Sequence, residues 1–305
     1  MMQKQSILMA SLSAIMKMKP RCVPCLLNRV LFECELVTEN EEEIASVMKQ
    51  VLQKMAENYS STRSSAEIAT EIHRYTYELL GNSDPYKKLK DKSNEVALSL
   101  LPKVKEIIEN SDDELHTAIL CSIAGNSIDF GIAGSASKPE ELATKFDWYV
   151  QQGLYHDDVE RMRKYLKGGS EVLYFTDNCG EIVFDRVVCE ILKTYDIHLT
   201  LVCKEVPILT DATLEDVKKL GFDEVVDEII TTGKFAVGVD VREMPEVLRE
   251  KLNAASLIIS KGMANYEALS ETEYAPIAHL MRVKCLSIAE SVGVPQGVNV
   301  AKLYK

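Results

Sequence analysis

The sequence predicts an α/β protein: a Rossmann-like α/β/α layer with a mostly parallel sheet, joined to an N-terminal all-helical domain. Three observations lead there. From residue 21 to about 168, apolar residues recur at three- and four-residue intervals, the period of helices buried on one face. After Gly168-Gly169 the rhythm changes, and short apolar runs alternate with helical segments. Buried strands alternating with helices imply a parallel sheet covered on both faces. The chain accordingly divides into a frayed leader, 1–20, a helical domain, 21–168, and a Rossmann-like domain, 169–305.

Each element has its own signal. The leader "MMQKQSILMASLSAIMKMKP" holds an apolar stretch, Ser6 to Met16, too short to span a bilayer. It lacks the charge and cleavage pattern of a signal peptide, and Met16 and Met18 offer alternative starts. "CLLNRVLFECEL", "EEEIASVMKQVLQKMAENY", "AEIATEIHRYTYELLG" and "KSNEVALSLLPKVKEIIEN" read as helices. Gly81-Asn82 closes one of them, Asn82-Ser83-Asp84-Pro85 breaks before the next, and Ser111-Asp112-Asp113 caps another that runs into Gly125. About five strands follow, "EVLYFT", "IHLTLVC", "EVVDEII", "SLIIS" and "IAHLMRV", with helices between them. Right-handed crossovers then give a doubly wound layer.

Composition narrows the function. Among 305 residues, 35 Lys and Arg face 47 Asp and Glu, a net charge of −12. So acidic a surface repels phosphate backbones, which argues against nucleic-acid binding. No segment approaches a transmembrane span, so no membrane partner is expected. Eight cysteines are scattered without the density of a disulfide framework, which fits a reducing cytoplasm.

Ligands of an open parallel sheet bind outside the carboxyl ends of its strands. There the first strand delivers Asp177-Asn178, the second leads to Thr210-Asp211, and the fourth ends in Lys261-Gly262-Met263-Ala264-Asn265. Asp177, Asn178 and Asp211 are hard oxygen donors suited to Mg²⁺ or Mn²⁺. Lys261 at a glycine-containing strand-to-helix turn would serve a phosphate. Read singly, Asp177 and Asp211 could be helix caps and Lys261 a solvated loop residue. The single Gly180 is no dinucleotide fingerprint, no Walker A sequence occurs, and Cys179 stands where an aspartyl-phosphate phosphatase needs a second Asp. A metal-activated water is the simpler chemistry.

In the helical half, "AGNSIDFG" places Asn126 and Asp129 in a loop that is either a capped turn or a flap completing the pocket. Cys22 and Cys25 form C-x-x-C without the second pair a structural zinc needs, and read as inert or weakly redox-active thiols. His73 and His116 lie within helical patterns and read as packing or surface residues.

Together, "CVPCLLNR", "DPYKKLK", "GNSIDFG", "TDNCGE", "TDAT" and "KGMANYE" resemble the damage-control phosphatases, whose shared unit is known as domain of unknown function 89 and as the ARMT-like metal-binding domain. The resemblance runs from Arg21 to the C-terminus, and the C-x-x-C looks like the stand-alone archaeal and bacterial branch. It implies a helical domain joined to a Rossmann-like domain with the site between them. It also implies metal-dependent hydrolysis of phosphomonoesters such as sugar phosphates, phosphopantetheine or nucleotide derivatives, with Mg²⁺, Mn²⁺, Co²⁺ or Ni²⁺ as the candidate metals. Asp177, Asn178 and Asp211 match its metal ligands, Lys261 its substrate lysine, and Asn126 with Asp129 its closing loop, while Glu181 and Asn265 belong to the same motifs. "TTGKFAVGVD" at 231–240 is less polar than in relatives, which points to altered specificity. A protein carboxyl methyltransferase and a non-catalytic metal or nucleotide sensor are the alternatives; the missing Gly-rich cofactor loop counts against the first.

Overall fold

The structure, a computed structural model, describes residues 16–127, 138–270 and 272–305. Its N-terminal helices are α1 (Cys22–Val37), α2 (Glu41–Asn58), α3 (Ser65–Leu80), α4 (Lys87–Glu109), α5 (Glu114–Gly125), α6 (Glu140–Gln151) and the short α7 (Val159–Arg163). Local chemistry sets their ends. Asn40 accepts from the amides of Glu42 and Glu43 at the start of α2, whose first turn carries three glutamates facing the positive end of the helix dipole. Asp113 caps α5 by accepting from the His116 amide at 3.0 Å.

The sheet contains seven strands among the described residues: β1 (His156–Asp157), β2 (Glu171–Phe175), β3 (His198–Cys203), β4 (Glu228–Thr231), β5 (Leu257–Lys261), β6 (Ile277–Arg282) and β7 (Asn299–Tyr304). Between them run α8 (Ile182–Lys193), α9 (Leu214–Lys219), α10 (Glu246–Ala254), α11 (Gly262–Leu269) and α12 (Leu286–Val292). The strand order is β1-β7-β6-β5-β2-β3-β4, parallel except that β7 runs antiparallel to β6. The expected α/β class and mostly parallel sheet are therefore present.

Two strands exceed the five expected. β1 is two residues long within a stretch of helical rhythm, and β7 follows the last helix as an antiparallel return, so neither belongs to the alternation that revealed the others. The third strand also begins later than "EVVDEII" suggested, because Phe222–Glu224 is a 3₁₀ turn.

Successive residues of β2 point to opposite faces. Val172 and Tyr174 join a core built with α4, α5, α6 and α8, while Leu173 and Phe175 join a second core beneath α10. A third apolar cluster ties α1, α2 and α3 together. Packing is continuous across Gly168-Gly169: α5 lies against α8, and β1 extends the sheet from the helical side of that pair. The end of the expected leader is also packed. Met18 joins the α1–α3 cluster and Met16 the cluster beneath α12, because burying their side chains outweighs fraying; residues 1–15 lie outside the described residues.

Candidate active site

The strand order turns back where β2 lies between β3 and β5, and the crevice at this reversal is where an open α/β sheet offers a site. Asp177 and Asn178 leave β2 there. Residues 208–212, which follow β3, fold back beside them: the Ala212 amide donates to the Asp177 carbonyl at 2.8 Å, the Cys179 amide to the Thr210 carbonyl at 2.8 Å, and Asn178 bridges Asp211 as in an antiparallel pair. Two carboxylates and one carboxamide thus share one small area, and each of the three residues lines the same cavity of about 440 Å³.

The Asp177 carboxylate is held by design of its surroundings. Its Oδ2 accepts from Nδ2 of Asn178 at 2.6 Å and from Nδ2 of Asn126 at 2.9 Å. It rests against Gly262, the first residue of α11, which has φ +77° and whose missing Cβ would collide with it. Burial pushes the Asp177 carboxyl well above the usual range, and the charges of Glu181 and Asp211 push it further, opposed by Lys284 and the Asn126 hydrogen bond. Carboxylates crowded in this way favour a bound cation. The oxygen chemistry of Asp177, Asp211 and Asn178 fits a hard divalent ion. Among the described residues no three His, Cys, Asp or Glu side chains converge as ligands, so a cation here would rely on the Asn178 carboxamide as well as the two carboxylates.

Lys261 does not reach this cavity, contrary to the sequence expectation that it meets substrate phosphate. Its side chain is fully buried, donating to Ser122 Oγ at 2.6 Å and Asp185 Oδ1 at 2.7 Å, with Glu181 Oε2 at 3.4 Å. Burial would lower its affinity for the proton, but Asp185 and Glu181 more than reverse that. The physical reason is that β5 ends one residue later than "SLIIS" implied, so Lys261 is the last strand residue and points into the protein. Glu181 is likewise buried behind the site, accepting from the Asn178 amide at 2.8 Å. Asn265 is buried too and donates to the carbonyls of Thr176 and Lys261 at 2.9 and 2.8 Å, which ties α11 to the end of β2. Asn126 touches the site only through Asp177, and its Oδ1 is buried without a hydrogen-bond partner among the described residues. Asn126, Glu181 and Asn265 thus bond to Asp177, the Asn178 amide and the Thr176 carbonyl, whereas Lys261 bonds to Ser122 and Asp185 behind them. Asp129 lies outside the described residues.

"DPYKKLK" also supports the turn from behind. Lys90, itself buried, pairs with Asp84 at 2.6 Å, and one turn further on Asn94 accepts from the Gly180 amide at 2.6 Å.

The cavity wall contains cations that the sequence reading passed over. Arg21 and Arg29 come from α1 and the residue preceding it, and Lys284 from just beyond β6. Lys284 lies close enough to lower the proton affinity of both Asp177 and Glu181. It had a legible signal, since it sits at the carboxyl end of a strand like Asp177. Arg29 ends "CVPCLLNR", a motif whose conspicuous feature is its pair of cysteines. Cys22, Cys25 and Cys285 line the same cavity, and burial pushes the Cys285 thiol up to about 11. The 231–240 loop contributes Val237, and Lys204 fixes that loop by donating to the carbonyls of Ala236 and Gly238 while lying 3.3 Å from Asp211. No helix among the described residues is long and apolar enough to cross a membrane.

The sequence profile of the damage-control phosphatase ARMT1-like domain matches residues 18–300. A damage-control phosphatase of Archaeoglobus fulgidus is 44% identical over 290 residues, 95% of this chain and 100% of that protein. Another, from Pyrococcus horikoshii, is 33% identical over 294 residues, 95% of this chain and 99% of that one. A crystal structure of a P. horikoshii protein of the domain-of-unknown-function-89 family matches with a TM-score of 0.84 at 30% identity, covering 95% of this chain and 100% of that one.

Proposed function

The chain belongs to the damage-control phosphatase ARMT1-like family, and from that premise we propose that it hydrolyses phosphomonoesters of small, damaged or side-product metabolites with the help of a divalent metal. The observation that carries this reading is the Asp177 carboxylate, seated on Gly262 beside Asn178 and Asp211 in the lining of a cavity that also includes Arg21, Arg29 and Lys284. Acid ligands and basic side chains facing one space suit a metal and a phosphate together.

Asp177, Asn178 and Asp211 would hold the ion, of the Mg²⁺, Mn²⁺, Co²⁺ or Ni²⁺ kind. When bound it would supply Lewis-acid polarisation of a phosphoryl oxygen and a more acidic water. The remaining work falls to the chain. Asn126 and the Asn178 amide group keep Asp177 oriented by donating to one oxygen. Lys284 and the two arginines oppose the negative charge of the transferring phosphoryl group. Asp177 or Asp211 takes a proton from the attacking water. Lys261 balances Glu181 and Asp185 from within, which keeps these two buried carboxylates tolerable in one region.

Phosphate release from a panel of phosphorylated metabolites tests the proposal, after chelation and re-addition of Mg²⁺, Mn²⁺, Co²⁺ or Ni²⁺, with Asp177→Ala as control. Metal-dependent release that disappears in the variant supports it. Metal binding without release from any compound would favour the non-catalytic sensor.

A further inference from the structure

Beside Asp177, Asn178 and Asp211 the cavity has an apolar flank that the reaction described above leaves unused. Leu209 stands two positions before Asp211, and Val237 comes from the 231–240 loop; both line the cavity with those three residues. They also share one apolar cluster, of which Leu209 is a member and against which Val237 packs.

Each is held in place by specific bonds. Leu209 has φ +48°, a left-handed backbone that is costly for a residue with a Cβ. Its amide donates to the Tyr77 hydroxyl at 3.0 Å, which holds it there. Glycine or asparagine would adopt this backbone more readily, so what leucine adds is an apolar side chain beside the candidate metal ligands. The ring of the same Tyr77 meets Phe235 edge-on, with 5.4 Å between centroids. On both sides of Val237 the backbone is tied down. The Val237 amide donates to Thr70 Oγ1 at 2.9 Å, Arg74 donates to the Phe235 carbonyl at 2.9 Å, and Lys204 donates to the carbonyls of Ala236 and Gly238. Gly238, at φ +64°, lies so close to the Ala264 carbonyl that a Cβ would collide with it. Lys204 is also 3.3 Å from Asp211, which fixes the loop relative to that carboxylate.

An apolar wall accepts hydrocarbon and leaves any hydroxyl set against it without a hydrogen-bond partner. Elsewhere in the lining, the Ser65 hydroxyl is already engaged in donating to Glu267. We propose that Leu209 and Val237 are specificity-determining residues, selecting phosphomonoesters whose ester oxygen carries a hydrocarbon group over those in which that group is polyhydroxylated. The proposal rests on the phosphatase reading and deepens it. With the phosphoryl group at Asp177, Asn178 and Asp211, the carbon next to the ester oxygen falls against this flank.

n-Propyl phosphate and glycerol 3-phosphate differ only in their hydroxyls, so they form the test pair, assayed by phosphate release with metal present. In the unaltered protein kcat/KM for the propyl ester should exceed that for the glycerol ester by about tenfold or more. Val237→Thr keeps the shape of the side chain, and Leu209→Asn suits the left-handed backbone. In each variant the preference should shrink by about threefold or more. Because the ratio is taken within one protein, a loss of folded material cancels. No preference in the unaltered protein, or a preference for the glycerol ester, would overturn the proposal without any variant having to fold. So would release from other esters but not from the propyl ester, since an apolar flank must accept it. An unchanged ratio in either variant would remove that residue from the assignment. Failure to release phosphate from any ester would remove the phosphatase reading itself, an outcome distinct from all of these.

Discussion

Gly262, at φ +77°, presses its bare Cα face against the carboxylate of Asp177, so the strand-to-helix turn after β5 forms the seat of the group leaving β2. Both a left-handed backbone and an absent side chain are required there. Gly262→Ala should therefore lower stability by about 2 kcal/mol and displace Asp177. Phosphate release should fall at least tenfold, as read from steady-state assays beside thermal melts. A variant as active as the parent would show that the seat is dispensable.

Lys261 and Lys284 should behave in opposite ways. Lys261→Met leaves Asp185 and Glu181 buried without their cation, a loss of about 3–5 kcal/mol by urea unfolding. Adding Asp185→Asn should restore part of that loss, because the neutral amide no longer needs a counter-charge. An unchanged midpoint for the single variant would refute the pairing.

Lys284→Ala, by contrast, removes a cation from the cavity wall rather than from the core network. For Lys284→Ala, kcat/KM for a phosphomonoester should drop about tenfold, roughly 1.4 kcal/mol, by steady-state assay beside thermal melts. If activity held and stability fell instead, the lysine would be structural.

His279 gives a pH dependence with a definite sign. Burial pushes its pKa down to about 3 from an ordinary 6.5, and neither ring nitrogen has a hydrogen-bond partner among the described residues; Tyr266 and Tyr304 flank it edge-on. Between those values the unfolded chain binds the proton and the folded chain does not, so stability is full above pH 6.5 and declines as pH falls. From pH 7 to pH 5 this residue alone should cost about 2 kcal/mol. Denaturation curves of the parent and His279→Phe at both pH values isolate it; parallel losses in the two would assign the acid sensitivity elsewhere.

Much of this was open to reading. Apolar runs such as "EVLYFT" and "SLIIS" announce parallel strands because both of their faces are covered, and the rule that ligands gather at strand ends led directly to Asp177, Asn178 and Asp211. The same rule misjudged Lys261. One residue of strand length decides whether a side chain faces solvent or core, and sequence rhythm does not resolve one residue. His73 reads as a packing or surface residue, yet it lines the cavity, because a helical histidine on an apolar face has the same pattern in either place.

The sequence by itself determined the class of fold, the family and the hard-donor chemistry at the strand ends, since these depend on local periodicity and on residues close together in the chain. Only the tertiary structure decided which groups share the cavity. Asp177 and Gly262 are far apart in sequence, as are Tyr77 and Leu209, and each pair meets because burial of the surrounding apolar faces permits a single docking of their elements. That docking turned Lys261 inward and brought Arg29 and Lys284 to the cavity wall, where charge and geometry act together.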